Sequence, residues 1–189
     1  VEVSVTWRTH TVHIVGLSIN PAYPPLAEGL RIVRSGRGER AKKMADALAK
    51  AGIGGTLQGA YHYAGNPNMI GRTHFARHLV KAGHCKDVKS VFKNYLVKGK
   101  PGYVPHQWAA LADAVNWIRG SGGVAVLAHP GRYMNGRKSM GKQTMRELLA
   151  EFVACGGQAI EVVSGSHTPE QYAEFARYAE EFNLRCSCG

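Results

Sequence analysis

The sequence lacks a long apolar run. None of its stretches approaches the length of about 20 apolar residues that a membrane-spanning helix needs. Its amino terminus also lacks the charged segment followed by an apolar segment that marks a targeting peptide. From these two absences we predict a soluble, cytoplasmic protein.

Cysteine is scarce. The four cysteines, Cys85, Cys155, Cys186 and Cys188, do not form the spaced set of a small secreted protein, so reduced thiols are expected. Cys186 and Cys188 form a C-x-C pair that can bind a soft metal, but the remaining ligands would have to come from elsewhere in the chain. The pattern therefore favours ordinary thiols.

Acidic residues are few compared with basic ones. The sequence has 13 aspartates and glutamates but 24 lysines and arginines, which gives a net charge of +11 and a pI near 9.7. Such a charge attracts polyanions, whether nucleic acid, nucleotides or anionic membrane, and says nothing about the fold. The 44% apolar content of a 189-residue chain is sufficient for one domain with a real core.

The order of the predicted elements indicates an α/β fold. Residues 1–19 alternate apolar and polar side chains, which predicts two strands joined by a tight turn. Residues 20–106 form a mainly helical insertion, in which Gly36 and Gly38 are expected to divide a long helix into two. Residues 107–189 alternate helices with short apolar strands, which predicts parallel strands joined by right-handed crossovers.

A series of arginines recurs at every third position of the long helical segment. Its members are Arg31, Arg34, Arg37 and Arg40. We interpret this series as a concentration of cations along one side of the helix. A solvated helix face and a track for a nucleic-acid backbone both fit this pattern, and the sequence does not choose between them.

The most informative segment spans residues 122–133, where a short apolar strand ends in a histidine, a proline, a glycine and an arginine. His129 follows the carboxyl end of that strand, which is where open α/β sheets and barrels bind their ligands. It is therefore a candidate to meet a metal or a phosphate, the alternative being a histidine satisfied by hydrogen bonds in a turn. Arg132 favours the first interpretation, because a guanidinium pairs well with an anionic oxygen.

Other candidate side chains lie earlier in the chain. Glu2 projects from the face of the first strand opposite the valines, where a carboxylate usually just meets water. His13 alternates with apolar residues of the second strand, and we interpret it as structural or as supporting a site. His74 and His78 are four residues apart in a predicted helix and share a face, but no third ligand lies near them in sequence.

The loop over residues 98–106 is cationic and stiffened by two prolines. Tyr103 has a ring that can stack on a base, and Lys100 can meet a phosphate. An ordinary surface turn has the same composition, so both interpretations stay open.

Four short motifs follow one another along the chain: VEVS at 1–4, RTHFAR at 72–77, KPGYVPH at 100–106 and AHPGRY at 128–133. In this order they resemble the PHP (polymerase and histidinol phosphatase) superfamily. The resemblance covers nearly the whole chain and is closest to the bacterial nucleoside 3',5'-bisphosphate phosphatases and 5'-to-3' exoribonucleases that act on short RNA. It implies a distorted (β/α)7 barrel with a helical insertion, and a cluster of divalent metals at the carboxyl ends of the strands.

The same resemblance implies roles for particular residues. Glu2 matches the carboxylate that bridges two metals, and His74 and His129 match imidazole ligands, so these three are the expected catalytic and metal-binding residues. The expected ion is Mn²⁺, with Fe²⁺, Zn²⁺ or Mg²⁺ as alternatives. The residues expected to bind substrate are Arg72, Arg132, Lys100, Tyr103 and His106.

The resemblance also predicts the activity. Such enzymes begin with His-x-His and Asp-His motifs and end with Asp-x-His, none of which occurs here, so we expect the chain to be a fragment. The predicted function is metal-dependent hydrolysis of phosphate esters of nucleotides or of short 5'-phosphorylated RNA. The alternatives are a non-catalytic phosphate- or RNA-binding module and a metal-free structural remnant. No membrane or protein partner is implied.

Overall fold

The computed structural model describes residues 1–134 and 139–189, which divide into two compact units. One unit consists of Val1–Leu30 with Gln107–Gly189, and the other is Arg31–His106. The division into three segments that we predict from the sequence stays a prediction. Among the described residues, no helix is both long enough and apolar enough to cross a membrane.

The unit that contains both chain ends is built on a five-stranded sheet with the order β1-β2-β3-β4-β5. Its strands are β1 (Glu2–Trp7), β2 (His10–Leu17), β3 (Val124–Leu127), β4 (Ala159–Val163) and β5 (Arg185–Cys188). The pairs β1–β2 and β2–β3 are antiparallel, whereas β3, β4 and β5 run parallel. The predicted α/β class is therefore confirmed.

The helices of the described residues alternate with these strands or form the other unit. In chain order they are α1 (Pro24–Lys50), α2 (Thr56–His62), α3 (Arg72–Lys81), α4 (Val88–Val91), α5 (Leu111–Gly120), α6 (Gly131–Met134), α7 (Lys142–Ala154) and α8 (Pro169–Glu181). A 3-10 turn covers Pro67–Met69, and a π-helical turn over Phe92–Leu96 continues α4.

Strands β1 and β2 form the hairpin that the period-two pattern predicts. One face of the sheet buries Val3, Val5, Trp7, Val12 and Ile14, so the alternate residues form the other face. Arg8 adopts a left-handed backbone conformation, with φ of 51°, in the tight turn between them. The pairing of Ser4 with His13 places Glu2 and His13 on the same face.

Helix α5 begins later than the apolar pattern over 107–119 predicts. The preceding residues are extended, because Thr6 N–H donates to Ala109 O at 3.0 Å and Trp108 N–H donates to Thr6 Oγ1 at 2.8 Å. Pairing with β1 therefore replaces the first helical turn, and the helix starts at Leu111.

The Arg31–His106 unit has a hydrophobic core of its own. It consists of Ala41, Met44, Leu48, Ile53, Ala60, Ile70, Phe75, Ala76, Leu79, Val91 and Leu96. The predicted division of its first helix at Gly36 and Gly38 is wrong, because α1 runs unbroken through both glycines. Burial of the apolar stripe of α1 outweighs the helix penalty of about 1 kcal/mol for each glycine.

Candidate metal centre

Three donor atoms converge on the polar face of the sheet: Glu2 Oε1, His13 Nδ1 and His129 Nε2. Glu2 Oε1 lies 2.6 Å from His13 Nδ1 and 3.2 Å from His129 Nε2, and the two imidazole nitrogens are 3.1 Å apart. These atoms are close enough to bind one metal ion together.

Backbone pairing explains why these residues meet. Glu2 lies two residues before Ser4, the partner of His13, so Glu2 and His13 are diagonal neighbours on one face of the hairpin. On the other side of β2, Ala128 N–H donates to His13 O at 3.0 Å, which carries the pairing of β3 up to His129. The group is therefore fixed by the sheet.

The backbone of His129 is held in an unusual conformation. Its φ is 32°, in the left-handed region that residues other than glycine rarely adopt. Its N–H donates to Oε2 of Glu161 at 2.6 Å, and Glu161 is only 8% exposed. A hydrogen bond to a buried carboxylate is strong, so Glu161 fixes the turn that directs the His129 ring toward Glu2.

The electrostatics of the group favour the deprotonated forms of Glu2 and His13. Burial raises the pKa of the Glu2 carboxyl, but hydrogen bonds and charges from His129 and His13 outweigh it and hold that pKa below its usual value. Burial lowers the pKa of His13, with Glu2 opposing the change and His129 adding to it. A carboxylate and a neutral imidazole both present lone pairs, which is the state that binds metal.

Tyr133 closes one side of the group. Its hydroxyl accepts a hydrogen bond from the backbone N–H of His13 at 2.8 Å. Its ring lies edge-on to the His129 ring, with 5.5 Å between ring centroids. Burial raises the pKa of the Tyr133 phenol above its usual value, so the hydroxyl stays protonated. Tyr133 therefore holds the backbone of His13 and packs against the ring of His129.

A cavity of about 250 Å³ opens beside the donor atoms. Arg132, from α6, lines it together with Glu2 and His129, and the loop after β4 adds Ser164 and Ser166. A guanidinium and two hydroxyls at the edge of a metal-binding group suit an oxyanion such as phosphate.

The donor set fits a divalent cation. Two imidazoles and one carboxylate match the ligands of manganese, iron or zinc, whereas calcium takes oxygen ligands. The donor atoms alone do not choose among the transition metals.

Several other predicted site residues lie in the Arg31–His106 unit, near one another. Burial lowers the pKa of Arg40 to about 10, with the charges of Arg72 and Arg37 adding to the change and Tyr103 opposing it. Burial also lowers the pKa of His106, and the charges of Arg40 and Arg37 add to that change. We call these five residues the Arg40 cluster. Its three arginines, Arg37, Arg40 and Arg72, suit an anion.

His74 also lies in the Arg31–His106 unit, at the start of α3. Its Nδ1 accepts a hydrogen bond from Gly71 N–H at 3.0 Å, so the proton of the neutral ring is on Nε2. Burial lowers the pKa of His74, with Arg77 and Arg37 adding to the change. The assignment of His74 as a metal ligand stays a prediction.

Arg72, Lys100 and His78 have distinct surroundings. Arg72 lies over the ring of Phe92, with Cζ 5.6 Å from the ring centroid, whereas Lys100 is exposed. The His78 ring packs against Gly59, where an added Cβ would lie 2.2 Å from it. His78 thus joins α2 to α3, which argues against its forming a metal pair with His74.

Two residues of the group around His129 were missed in the sequence. His13, interpreted as structural or supporting, points its Nδ1 at Glu2 and His129. The alternation in residues 1–19 could have indicated this, because the pairing of a hairpin brings the polar faces of β1 and β2 together. Glu161 had no such signal, since its role depends on the contact between β4 and the turn after β3.

Comparison with curated proteins gives close matches over the full chain, although no protein-family model matches. The chain is 55% identical over 189 residues to the 3',5'-nucleoside bisphosphate phosphatase of Chromobacterium violaceum. It is 40% identical over 189 residues to the 5'-3' exoribonuclease Rnm of Escherichia coli. The chain spans 65% and 62% of the lengths of these two relatives.

Solved structures agree with this result. A Chromobacterium violaceum protein described as an amidohydrolase with bound sulfate and no metal superposes with a TM-score of 0.88 at 54% identity. The match covers 100% of the chain and 64% of that protein. A Bifidobacterium adolescentis protein described as a metal-dependent phosphoesterase superposes with a TM-score of 0.82 over 100% of the chain and 65% of its own length. Its 22% identity supports the fold alone.

Proposed function

We propose that this chain, which belongs with the PHP-type phosphoesterases, carries part of a divalent-metal centre that hydrolyses phosphate esters. The observation that carries the proposal is the convergence of Glu2 Oε1, His13 Nδ1 and His129 Nε2 within coordinating reach of one another. The proposed substrates are nucleoside bisphosphates or short 5'-phosphorylated RNA, in keeping with the names of the two curated relatives.

The proposed ligands are Glu2, His13 and His129. A bound divalent ion, with Mn²⁺ the first choice and Fe²⁺, Zn²⁺ or Mg²⁺ the others, would lower the pKa of a water and neutralise phosphoryl charge. Glu2 has a second carboxylate oxygen that can face another cation, which suits the bridging role. Glu161 and Tyr133 hold the backbones of His129 and His13, from which the two imidazoles project.

Arg132 is proposed to orient the phosphate. It lines the cavity beside the donor atoms, where its planar fork can bind two phosphoryl oxygens at once. A lysine at this position would supply the charge without fixing the orientation.

The Arg40 cluster is proposed to bind phosphate groups of the substrate within the Arg31–His106 unit. Arg72 and His106 supply positive or hydrogen-bonding groups, and Tyr103 supplies a ring for a base. His74 fits a supporting role in which Nε2–H donates to a phosphate oxygen, because its Nδ1 is already an acceptor. Lys100, which is exposed, adds positive charge.

Finer features of the fold and cellular setting are also proposals. The five-stranded sheet would form part of a distorted (β/α)7 barrel, with the helical segment as an insertion. A cytoplasmic location suits an enzyme that acts on nucleotides or RNA.

The non-catalytic phosphate- or RNA-binding module is not favoured. The curated relatives are named as a phosphatase and an exoribonuclease, and the chain presents a group of metal-binding donor atoms. The metal-free remnant is disfavoured for the same reason.

The test measures phosphate release from 3'-phosphoadenosine 5'-phosphate by the protein expressed from its complete gene, with added Mn²⁺. We expect His13→Ala and His129→Ala each to lower kcat/KM by more than about 100-fold. Loss of a residue that only supports a metal ligand lowers activity by at most about that factor. Thermal unfolding would confirm that the variants fold.

His84→Ala is the matched control. His84 is an exposed histidine after α3, so its replacement should leave phosphate release unchanged. Full activity in His13→Ala and His129→Ala, with bound metal unchanged, would remove both residues from the centre and overturn the proposal.

A further inference from the structure

His167 is not one of the proposed metal ligands, yet it joins the two chain segments that line the cavity beside them. One segment is the turn after β3, which carries His129 and Arg132, and the other is the loop after β4, which carries Ser164 and Ser166. His167 directly follows that loop and is only 8% exposed. A buried side chain at this place can fix the position of one segment relative to the other.

Both ring nitrogens of His167 lie within hydrogen-bonding distance of the backbone. Nε2 accepts from Gly131 N–H at 3.1 Å, so Nε2 carries no proton. Nδ1 lies 2.9 Å from Val162 O, where the ring must donate because a carbonyl oxygen only accepts. A neutral ring with its proton on Nδ1 makes both bonds, and it connects the end of β4 with the first residue of α6.

Packing keeps this ring in place. Its centroid lies 4.7 Å from that of Phe175, a fully buried residue of α8. The backbone N–H of His167 donates to Ser164 O at 3.0 Å, which closes the turn after β4. A Cβ added at Gly131 would lie 2.5 Å from His167 Cδ2, so the ring and the backbone of α6 are in direct contact.

Helix α6 depends on such contacts because it is only four residues long. A single helical turn fixes many backbone angles for few hydrogen bonds, so it is not stable by itself. Arg132 N–H donates within the turn, to His129 O at 3.0 Å. Gly131 N–H instead donates to His167, a residue 36 positions further along the chain. The start of α6, from which Arg132 projects, is therefore bonded to the loop after β4.

We propose that His167 is a positioning residue that directs Arg132 toward a phosphate group in the cavity. Arg132 has a long, exposed side chain, so its direction depends on the backbone that carries it. Bidentate binding of a phosphate requires the planar guanidinium to approach in a defined orientation. A displacement of about 1 Å in a group that positions substrate can lower activity by about 100-fold.

This inference rests on the proposed function, because it needs a phosphate group in the cavity. It goes further by making phosphate affinity depend on a residue that contacts neither the phosphate nor the metal. Glu161 acts on the proposed metal ligand His129, whereas His167 acts on Arg132. Loss of the bond to Gly131 should therefore weaken phosphate binding and leave metal binding unchanged.

The experiment compares two variants that each keep one of the two ring bonds. His167→Gln places a side-chain oxygen near the position of Nε2, so it can still accept from Gly131 N–H. His167→Asn places an N–H donor near the position of Nδ1, so it can still bond Val162 O, but its shorter side chain does not reach Gly131. Each variant loses one hydrogen bond and the packing of the ring, so we expect the two to be destabilised about equally.

Binding of inorganic phosphate is titrated in EDTA, with each protein expressed from its complete gene. We expect the Kd for phosphate to rise by about 10-fold in His167→Asn, the lower end of the range for loss of a supporting residue. His167→Gln should bind phosphate nearly as tightly as the wild type. A separate titration should give an unchanged Mn²⁺ affinity for both variants. With Mn²⁺ present, KM for 3'-phosphoadenosine 5'-phosphate should rise only in His167→Asn.

The matched control is His84→Asn, which replaces an exposed histidine and should leave phosphate binding unchanged. Equal phosphate affinity in His167→Asn and His167→Gln, whether lowered or not, would overturn the inference. A loss of Mn²⁺ affinity as large as the loss of phosphate affinity would overturn it too, since His167 would then act through His129. Absence of turnover on every substrate would refute the proposed function, while the phosphate titration in EDTA would still decide on His167.

A double-mutant cycle tests whether the effect passes through Arg132. Arg132→Lys keeps the charge but loses the planar fork. In the Arg132→Lys background, His167→Asn should cause little further loss of phosphate affinity, because the group that His167 positions is already gone. Losses that add in full would contradict a role through Arg132.

Gly131→Ala disturbs the same contact with His167 intact. The added methyl group would lie 2.5 Å from His167 Cδ2, so the ring and α6 must move apart. We expect weaker phosphate binding, as in His167→Asn, and this variant decides the question if His167→Asn does not fold. Phosphate binding by Gly131→Ala as tight as that of the wild type would contradict the inference.

Discussion

His129 shows how one residue can combine local strain with a functional role. A positive φ in a residue other than glycine costs about 1–3 kcal/mol and persists only when its surroundings enforce it. Here the enforcing group is the carboxylate of Glu161, which accepts the His129 N–H at 2.6 Å. The direction in which the imidazole points toward Glu2 therefore depends on a residue that is not itself one of the three proposed ligands.

Replacing Glu161 should separate this supporting role from ligation. Glu161→Ala leaves a partly buried N–H without its acceptor, so we expect about 1–3 kcal/mol lower free energy of unfolding and about 10–100-fold weaker Mn²⁺ binding. Glu161→Gln keeps an acceptor oxygen, so we expect a smaller loss of both stability and Mn²⁺ affinity. Urea unfolding and Mn²⁺ titration measure the two effects.

Glu147→Ala is the control for Glu161. Glu147 forms a surface ion pair with Arg8, which contributes only about 0–1 kcal/mol, and it lies outside the donor group. Mn²⁺ affinity of Glu161→Ala equal to that of Glu147→Ala would show that His129 holds its position without Glu161.

His106 makes stability depend on pH in a direction that can be derived. Burial, with the charges of Arg40 and Arg37, lowers the pKa of His106 below its ordinary value of 6.5. At pH values between the lowered pKa of the folded protein and the ordinary pKa of the unfolded chain, the unfolded chain binds more protons than the folded one. The free energy of unfolding therefore falls as the pH drops through that range.

We therefore expect His106→Gln to lose less stability than the wild type on acidification. Urea unfolding at about pH 7.5 and about pH 5.5 gives the loss for each protein. His84→Gln, which replaces an exposed histidine, should lose as much as the wild type. An equal loss in His106→Gln and the wild type would contradict the proposed environment of His106.

Strand and helix patterns in the sequence were sufficient for most elements. Alternation predicted β1 and β2. The sequence Thr168-Pro-Glu-Gln171 is typical of a helix start, and α8 begins there, with Gln171 Oε1 accepting from Thr168 N–H at 3.0 Å. The late start of α5 could not be predicted, because it follows from pairing with β1, a contact between residues about 100 positions apart. Local patterns do not contain such contacts.

The unbroken α1 gives a test at the level of one helix. At Gly38 an added Cβ would meet Tyr61 Oη at 3.9 Å, an ordinary contact, whereas at Gly36 it would meet His106 Cε1 at 3.0 Å. Gly38→Ala should therefore raise the free energy of unfolding by about 0.5–1 kcal/mol through helix propensity. Gly36→Ala should raise the free energy of unfolding by less, because the His106 imidazole must move to make room for the added methyl group.

Urea unfolding of Gly38→Ala and Gly36→Ala measures the difference directly. A larger gain for Gly36→Ala would show that His106 does not pack against α1. Loss of stability in Gly38→Ala would indicate that α1 is broken at the glycines, as the sequence pattern alone predicts.

For the molecule as a whole, composition indicated a basic protein, the order of the elements indicated an α/β fold, and the four motifs gave the resemblance to the PHP superfamily. The names of the two curated relatives, a phosphatase and an exoribonuclease, agree with that resemblance. The candidate centre was predicted only in part. Glu2 and His129 were candidates from the motifs, whereas the proximity of His13 to them depends on strand register. The role of Glu161 depends on a contact between separate βα segments, which composition and spacing do not reveal.

The central claim is that Glu2, His13 and His129 hold the same cation. Anomalous diffraction from crystals of the protein grown with Mn²⁺ tests it most directly, because the scattering locates the ion. We expect a peak about 2.0–2.3 Å from Glu2 Oε1, His13 Nδ1 and His129 Nε2. Mn²⁺ bound elsewhere, with these three side chains bonded only to one another, would contradict the account.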